Sequence, residues 1–518
     1  VIDMPSRWLR RWRLGFAVAT SLLAAACAAG GPTPTATPPS TSGAWAYPNA
    51  DLANTRGAPN STITSRNVTR LRQAWTFKLS GSAAAGVDRA GALAMNPVVG
   101  DGVVYIQDLD ANVYAVALTT GRLVWEHKVN TPVKSGPGPN GVALAGGVVY
   151  GDSAFAVFAL DARTGRTLWV DNHLLGAGQG SFEIQPQVAN HRVYLASAYG
   201  SGHGGGVLLA LDASTGRRLW TFDTVVGPAP GVEALGLGSG GAWQTPLLGG
   251  DGSVTFGIGN PYQSPASAIA HPSRQRYTDS EVNLDASTGK LRWYYQAVPD
   301  DFKDYDMQAS PIAAIIDGGP AVIGGGKMGY VYAMSARTGR LIWKTPVGEH
   351  NGHDDDSLKA LAHKSTVEAP LTILPGSLGG ILTNMALAGN RVYVATTDLP
   401  LTYTSLSEPA PTKAAGRASG EVESLSLATG QVEWDTKVSD LPFGAATVSN
   451  DLVFTTLSKG VLIALSRSTG AIVYRRRLPN TTNAPIAIAG NTVLVPAAGP
   501  RLPAGADGPP QLVAYTAS

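Results

Sequence analysis

ALDASTGRRLW, residues 210–220, decides the fold: an apolar run enters a Ser-Thr-Gly turn, and an indole follows four residues after the glycine. Six further copies surround it: ALTTGRLVW ending at Trp125, ALDARTGRTLW at Trp169, NLDASTGKLRW at Trp293, AMSARTGRLIW at Trp343, SLATGQVEW at Trp434 and ALSRSTGAIVY at Tyr474. Each reads as a β-hairpin whose glycine takes positive φ without a steric penalty. In three copies an Asp (161, 212, 285) opens the turn, placed to accept the backbone N–H two residues on.

The glycines at 121, 165, 216, 289, 339, 430 and 470 are 44, 51, 73, 50, 91 and 40 residues apart, one four-stranded blade per repeat with two insertions. An eighth copy is split across the ends. The run QLVAYTAS stops where a turn would follow, and LRQAWTFKL supplies an unpartnered Trp75. Pairing them closes the ring without an exposed sheet edge. The expected fold is therefore an all-β, eight-bladed β-propeller closed by its N- and C-terminal strands. Length alone predicts about three domains, but repeats that each leave an apolar face uncovered are stable only as one stacked body. The 62 Gly, 35 Pro and 15% charged residues suit short strands and many turns.

Arg7, Arg10, Arg11 and Arg13 precede the apolar LGFAVATSLLAAACAA and then GGPTPTATPPSTSG. The pattern predicts a secretory signal over 1–26, a Pro/Thr-rich tether over 27–42 and the propeller over 43–518. The small residues before Cys27 resemble a bacterial lipobox, which implies a lipidated Cys27, an extracytoplasmic location and membrane attachment through that anchor only. Removing the signal changes the formal charge from +2 to about −1, 35 basic against 36 acidic side chains. That balance gives no electrostatic case for nucleic acid. A chain with a single cysteine holds no internal disulfide and no CxxCH haem site.

Nearly the whole segment after the tether resembles the pyrroloquinoline quinone (PQQ) dehydrogenase superfamily, the eight-bladed quinoprotein alcohol dehydrogenase fold. The TG-x3-W turns look like its tryptophan docking motif. The opening WAYPNADLANTRGAPNSTITSRNVTRLRQAW is similar to the family opening. GGAWQTPLLGGDGSVTFGIGNPY resembles the stretch that supplies a quinone-stacking Trp and a metal-binding Asn, here Trp243 and Asn260. LRWYYQAVPDDFKDYDMQASP resembles the segment whose DYD begins with the catalytic carboxylate, here Asp304, with Asp306 two residues on. GGGKMGYVYAMSARTG resembles the strand whose Lys or Arg hydrogen-bonds the quinone, here Lys327. The central segments are most similar to the polyvinyl-alcohol dehydrogenase-like branch.

The resemblance implies PQQ and Ca²⁺ or a lanthanide as cofactors, an alcohol, polyol or sugar as substrate, and a separate electron acceptor. Oxidation by hydride transfer needs an electrophilic carbonyl, a cation to polarise it and a base for the hydroxyl proton. Asp300, Asp301, Asp304 and Asp306 put four carboxylates in seven residues, offset locally only by Lys303, so they repel unless a cation sits among them or a pKa rises. Taken singly, Trp243 also reads as core packing, Asn260 before Pro261 as turn chemistry, the acidic run as solvated loop and Lys327 as a surface charge.

Several positions depart from the family pattern. Ser201 stands at its metal-binding glutamate, Ala94 at a quinone-contacting glutamate and Glu183 near a cofactor-contacting Thr, while SGPGPN (135–140) lacks the adjacent cysteines of many alcohol dehydrogenases. These changes keep a second reading open, a non-catalytic propeller lipoprotein that serves as a scaffold in the cell envelope. VGEHNGHDDDS (347–357) and His203 fit no strong ligand spacing and read as solvated loop.

Overall fold

The computed structural model describes residues 45–58, 60–79, 92–129, 141–198, 205–225, 240–270, 276–357, 367–408, 413–499 and 509–517. Cys27 with the leader and tether, the 135–140 segment, Ser201 and His203 lie outside them. The described residues are β-strands and turns apart from the short α-helix Pro265–Ala270, one 3-10 turn, Val68–Arg70, and the helical residues Asp356 and Ser357. Among them no helix is long and apolar enough to cross a membrane.

The strands form antiparallel up-and-down sheets. Val98–Gly100, Val103–Gln107, Val113–Ala117 and Leu123–His127 make one, in that order. The same four-strand path recurs from Ala143, Gln187, Leu247, Ile312, Ala386 and Thr447. A further sheet draws Ala487–Ala489, Thr492–Ala497 and Gln511–Ala517 from one end of the chain and Leu71–Lys78 from the other. This is the propeller fold that the repeat predicts. The 91-residue glycine spacing holds an insertion, whose strands Leu371–Ile373, Leu401–Tyr403 and Lys413–Ala414 pair as a small sheet of their own.

In each Thr-Gly hairpin the turn glycine has φ between 68 and 75°. Just before each turn the ladder slips register, between Ala210 and Leu211 in one sheet and at the corresponding place in the other six hairpins. Such a slip adds twist and re-aims the following side chains. The indole Nε1–H of Trp169 donates to the Ala213 carbonyl of the following turn at 2.9 Å, and Trp220 donates likewise to Ala286 at 3.1 Å. A Cβ on Gly216 would lie 2.6 Å from the Trp169 ring, so the left-handed backbone and the indole lid both require glycine there. Asp212 and Asp285 accept the backbone N–H two residues on, as expected, whereas Asp161 accepts from Thr164, three residues on.

Middle strands such as Arg192–Ala198 are buried along almost their whole length, because each sheet is covered on both faces by its neighbours. Outer strands such as Leu341–Pro346 alternate between half-buried and exposed residues. The segment before Leu71 runs along the short inner strands. The Trp45 carbonyl accepts from Val99, that of Thr55 from Leu387, that of Ala53 from Ala313 and that of Arg56 from Val448. It thereby ties together sheets that are far apart in sequence.

Candidate functional site

Two strands carry the site to the mouth of a cavity. Ser253–Ile258 ends at Gly259 and Asn260, and Gly319–Gly326 ends at Lys327. The Lys327 backbone N–H donates to the Asp306 carbonyl at 3.0 Å, which pins the DYD run against the second strand. On the other side, the Asn260 backbone N–H donates to Asp306 Oδ1 at 2.8 Å. The cavity, of about 380 Å³, is lined by Trp243, Asp304, Asp306 and Lys327 together with Ala94, Asn96, Gln185 and Asn384.

Lys327 Nζ lies 3.0 Å from Asp304 Oδ2 and 2.5 Å from Asp306 Oδ2. One ammonium thus bridges the fully buried Asp306 carboxylate and the partly buried one of Asp304. Its pKa is raised well above the ordinary lysine value: burial opposes the charge, but Asp304 and Asp306 more than offset it. Asp304 is pushed up to about 8, chiefly by burial and further by Asp306, with Lys327 pulling the other way.

Lys303 is the nearest counter-charge in sequence, but in the structure it is Lys327 that meets the DYD carboxylates, and the run is not regularly extended. Asp304 adopts φ of 61°, in the left-handed region that Asp tolerates, and still shares Lys327 with Asp306. Lys303 turns away, and its Nζ donates to the His353 and Asp354 carbonyls. Asp301 does not face the ammonium either. It accepts the Lys303 and Tyr305 backbone N–H groups at 3.0 and 2.8 Å and so shapes the loop that presents Asp304.

Trp243 packs on Gly259: a Cβ there would lie 2.8 Å from the indole and 2.7 Å from Asp306 Oδ1. Glycine at 259 is what lets a flat aromatic face and a carboxylate meet at one wall. Asn260 is buried, and its side-chain Oδ1 has no donor, nor has Asp304 Oδ1. Buried oxygens without donors, next to two carboxylates, suit a hard cation that takes oxygen ligands. The donor set present at Asn260, Asp304 and Asp306 therefore fits Ca²⁺ or a lanthanide.

Asp279 and Glu281 escaped the sequence reading. Both are fully buried, and none of their carboxylate oxygens has a hydrogen-bond partner. Burial raises both well above the carboxylate range, and Asp301, Asp306 and Asp304 raise Asp279 further. The polar alternation S-E-V-N-L-D (280–285) was the available signal, but it reads as an ordinary half-exposed strand until the next sheet covers it. Of the departures, Ala94 lines the cavity, and Glu183 is buried near Asp152, whose carboxyl is raised by burial and by Glu183. The 347–357 run is not simply solvated. His350 Nδ1 meets Asp354 at 2.8 Å, and the His350 ring edge packs on Tyr330.

The family described as "Glucose/ethanol/alcohol dehydrogenase, beta-propeller domain" matches residues 45–146 and 178–354, more than half of the chain. That described as "Outer membrane protein assembly factor BamB" matches 109–241 and 418–517. A polyvinylalcohol dehydrogenase of Pseudomonas sp is 27% identical over 407 residues, which cover 70% of this chain and 56% of that protein. A quinohemoprotein alcohol dehydrogenase of Comamonas testosteroni is 29% identical over 376 residues, 65% of this chain and 51% of that protein. The crystal structure of the quinohemoprotein alcohol dehydrogenase from Comamonas testosteroni superposes with a TM-score of 0.76 at 21% identity, covering 92% of this chain and 81% of the other. The chain spans about half the length of the curated relatives it matches. On the family match and the shared propeller fold, the chain belongs to the PQQ-dependent quinoprotein dehydrogenase family of β-propellers.

Proposed function

We propose that the protein is an extracytoplasmic, lipid-anchored dehydrogenase that oxidises an alcohol, polyol or sugar and passes the electrons to a separate acceptor. The observation that carries this reading is the convergence of Asp304, Asp306 and Lys327 with Trp243 at one cavity. The body is read as eight blades joined by tryptophan docking, with Cys27 as the anchor. When bound, PQQ supplies the electrophilic carbonyl that accepts hydride, and a hard cation at Asn260, Asp304 and Asp306 supplies Lewis-acid polarisation. Trp243 offers the flat face for a planar ring. Lys327 holds a positive charge at the wall where negative charge develops. Asp304 takes the substrate hydroxyl proton, for which its Oδ1 is free of donors, and a cation beside it would keep the carboxylate ionised against the burial that raises its pKa. Displacing Lys327 from the carboxylates by the cation would free its ammonium for the quinone side.

Ala94 at the cavity wall, together with the partial match to the assembly-factor family, favours the scaffold reading as the alternative. The two separate on one measurement. Purified protein is given PQQ with Ca²⁺, and separately with La³⁺, and cofactor absorbance and alcohol-dependent dye reduction are followed. Binding with turnover is the expected result, and Asp304→Asn should lower turnover by about 10²- to 10⁴-fold with the fold intact. Absence of cofactor binding under both conditions would sink the dehydrogenase reading.

A further inference from the structure

Away from the cavity, one face of the sheet containing Arg391–Asp398, Ser419–Ser426 and Val432–Val438 carries acid where propeller sheets carry apolar side chains. Thr396, Glu421 and Lys437 lie in one cross-strand row, and Val394, Glu423 and Asp435 lie in the next. Strand alternation puts Asp398 on the same face, two residues beyond Thr396. The turn that follows Leu341–Pro346 in the preceding sheet closes over this face. A Cβ on Gly348 would lie 2.9 Å from Asp398 Oδ1, and the Glu349 backbone N–H donates to that oxygen at 3.0 Å.

Candidate ligand oxygens of Glu349, Asp398 and Glu421 lie within 4.8 Å of one another, as do those of Glu421, Glu423 and Asp435. Five carboxylates therefore share one seam through Glu421. Lys437 is the ammonium paired with them among the described residues, at 2.9 Å from Glu349 and 2.7 Å from Glu421. Its side chain is 64% exposed, so the pair is weak and the ammonium can swing into water.

Two buried oxygens in the seam have no partner. Glu423 is 4% exposed and its Oε2 has none, and Thr396 is fully buried with Oγ1 unpaired. Leaving such groups unsatisfied carries their full desolvation penalty. Carboxylate and hydroxyl oxygens, with no nitrogen or sulfur donor, select a hard cation, and more than five available oxygens suit the high coordination number of Ca²⁺.

The geometry points to a second cation site, separate from the cavity, in which Asp398, Glu421 and Glu423 bind Ca²⁺ in the seam between these two sheets. Glu349 and Asp435 complete it from the rim, and Thr396 Oγ1 faces it from the floor. The ion displaces Lys437 and clasps the 347–349 turn to the sheet. Burial and neighbouring acid push Glu423 up to about 9 and Asp398 to about 6, the cost that a bound divalent ion would remove.

Calorimetric titration of the full chain with CaCl₂, without PQQ, tests the assignment beside thermal unfolding with and without the ion. Ca²⁺ should bind and raise the melting midpoint. In Glu421→Gln/Glu423→Gln the affinity should fall at least about tenfold, whereas Asp304→Asn/Asp306→Asn should keep the seam's binding. Should the first double variant fail to fold, Lys437→Gln replaces it and should bind Ca²⁺ about fivefold more tightly, since the competing ammonium is gone. Parental binding and stabilisation in Glu421→Gln/Glu423→Gln, or no change of affinity in Lys437→Gln, overturns the site. Neither outcome depends on PQQ binding, so the dehydrogenase reading stands or falls separately.

Discussion

Lys327 shows how much one side chain holds in place. A buried ammonium costs several kcal/mol in lost hydration, and this one is retained because two carboxylates meet it within 3.0 Å. Remove it, and Asp304 and Asp306 face each other beside Asp279 with no positive charge between them. Lys327→Met should therefore lose about 3 kcal/mol in urea unfolding without divalent ions. Added Ca²⁺ or La³⁺ should restore part of that loss, because the cation takes over the same neutralising role. A variant as stable as the parent would show that the two carboxylates already share protons and do not need the ammonium. Motif order picked out Trp243, Asn260, Asp304, Asp306 and Lys327 as candidates, and Trp243, Asp304, Asp306 and Lys327 line one cavity. Their relation was not legible in it: no local pattern says that the ammonium at 327 crosses to 304 and 306, or that Lys303, close in sequence, points elsewhere.

Each hairpin combines a positive-φ glycine, a register slip and an indole whose N–H caps a carbonyl of the next turn. These features explain the repeat without any chemistry. The sheet of Arg391–Asp398 departs from this economy by burying acid, and its behaviour with pH follows from linkage. Glu423 and Asp398 have folded-state pKa values of about 9 and about 6, above the roughly 4 of an unfolded carboxylate. The folded state thus holds more protons than the unfolded state between those limits, and stability falls as pH rises through that window. In EDTA, the urea midpoint should decline from about pH 5 to about pH 9, and Glu423→Gln should flatten the upper part of the decline. Equal slopes for parent and variant would show that Glu423 is ionised throughout. Strand alternation puts Glu421 and Glu423 on one face, but only the neighbouring turn makes that face an interior.

At the scale of the whole molecule, the segment before Leu71 acts as a plug through the inner strands, and Arg56 is its centre. Its fully buried guanidinium donates to the Ala446 and Ile486 carbonyls, Asn49, Asn96 and Thr447, at 2.6 to 2.9 Å. Burial lowers its pKa to about 9. Two backbone carbonyls, two Asn amides and the Thr447 hydroxyl, none of them a carboxylate, accept the five bonds, so the segment brings a cation with no carboxylate partner among these bonds beneath the cavity floor. Asn96 and Asn384, which line that cavity, are both tied to this network, Asn96 through Arg56 and Asn384 through Asn49. Arg56→Met should cost about 3 kcal/mol or more in thermal unfolding, since several buried acceptors lose their donor together. It should also weaken PQQ binding if the floor supports the cofactor. Unchanged stability would mean that water replaces the guanidinium without loss.

The sequence alone determined the all-β propeller, because a hairpin is a local object: turn glycine, β-rich flanks and indole lie within a dozen residues and recur at blade spacing. It also singled out the cavity side chains, because they sit in short segments that resemble a known family. Tertiary structure decided which charges meet. The Lys327 bridge, the orphaned acids at 279 and 281, the carboxylate seam around Glu421 and the Arg56 network all join residues from different sheets or from distant parts of the chain. Electrostatics and desolvation depend on distance and burial in space, and those are set only when the sheets pack against one another and the N-terminal segment closes the inner strands.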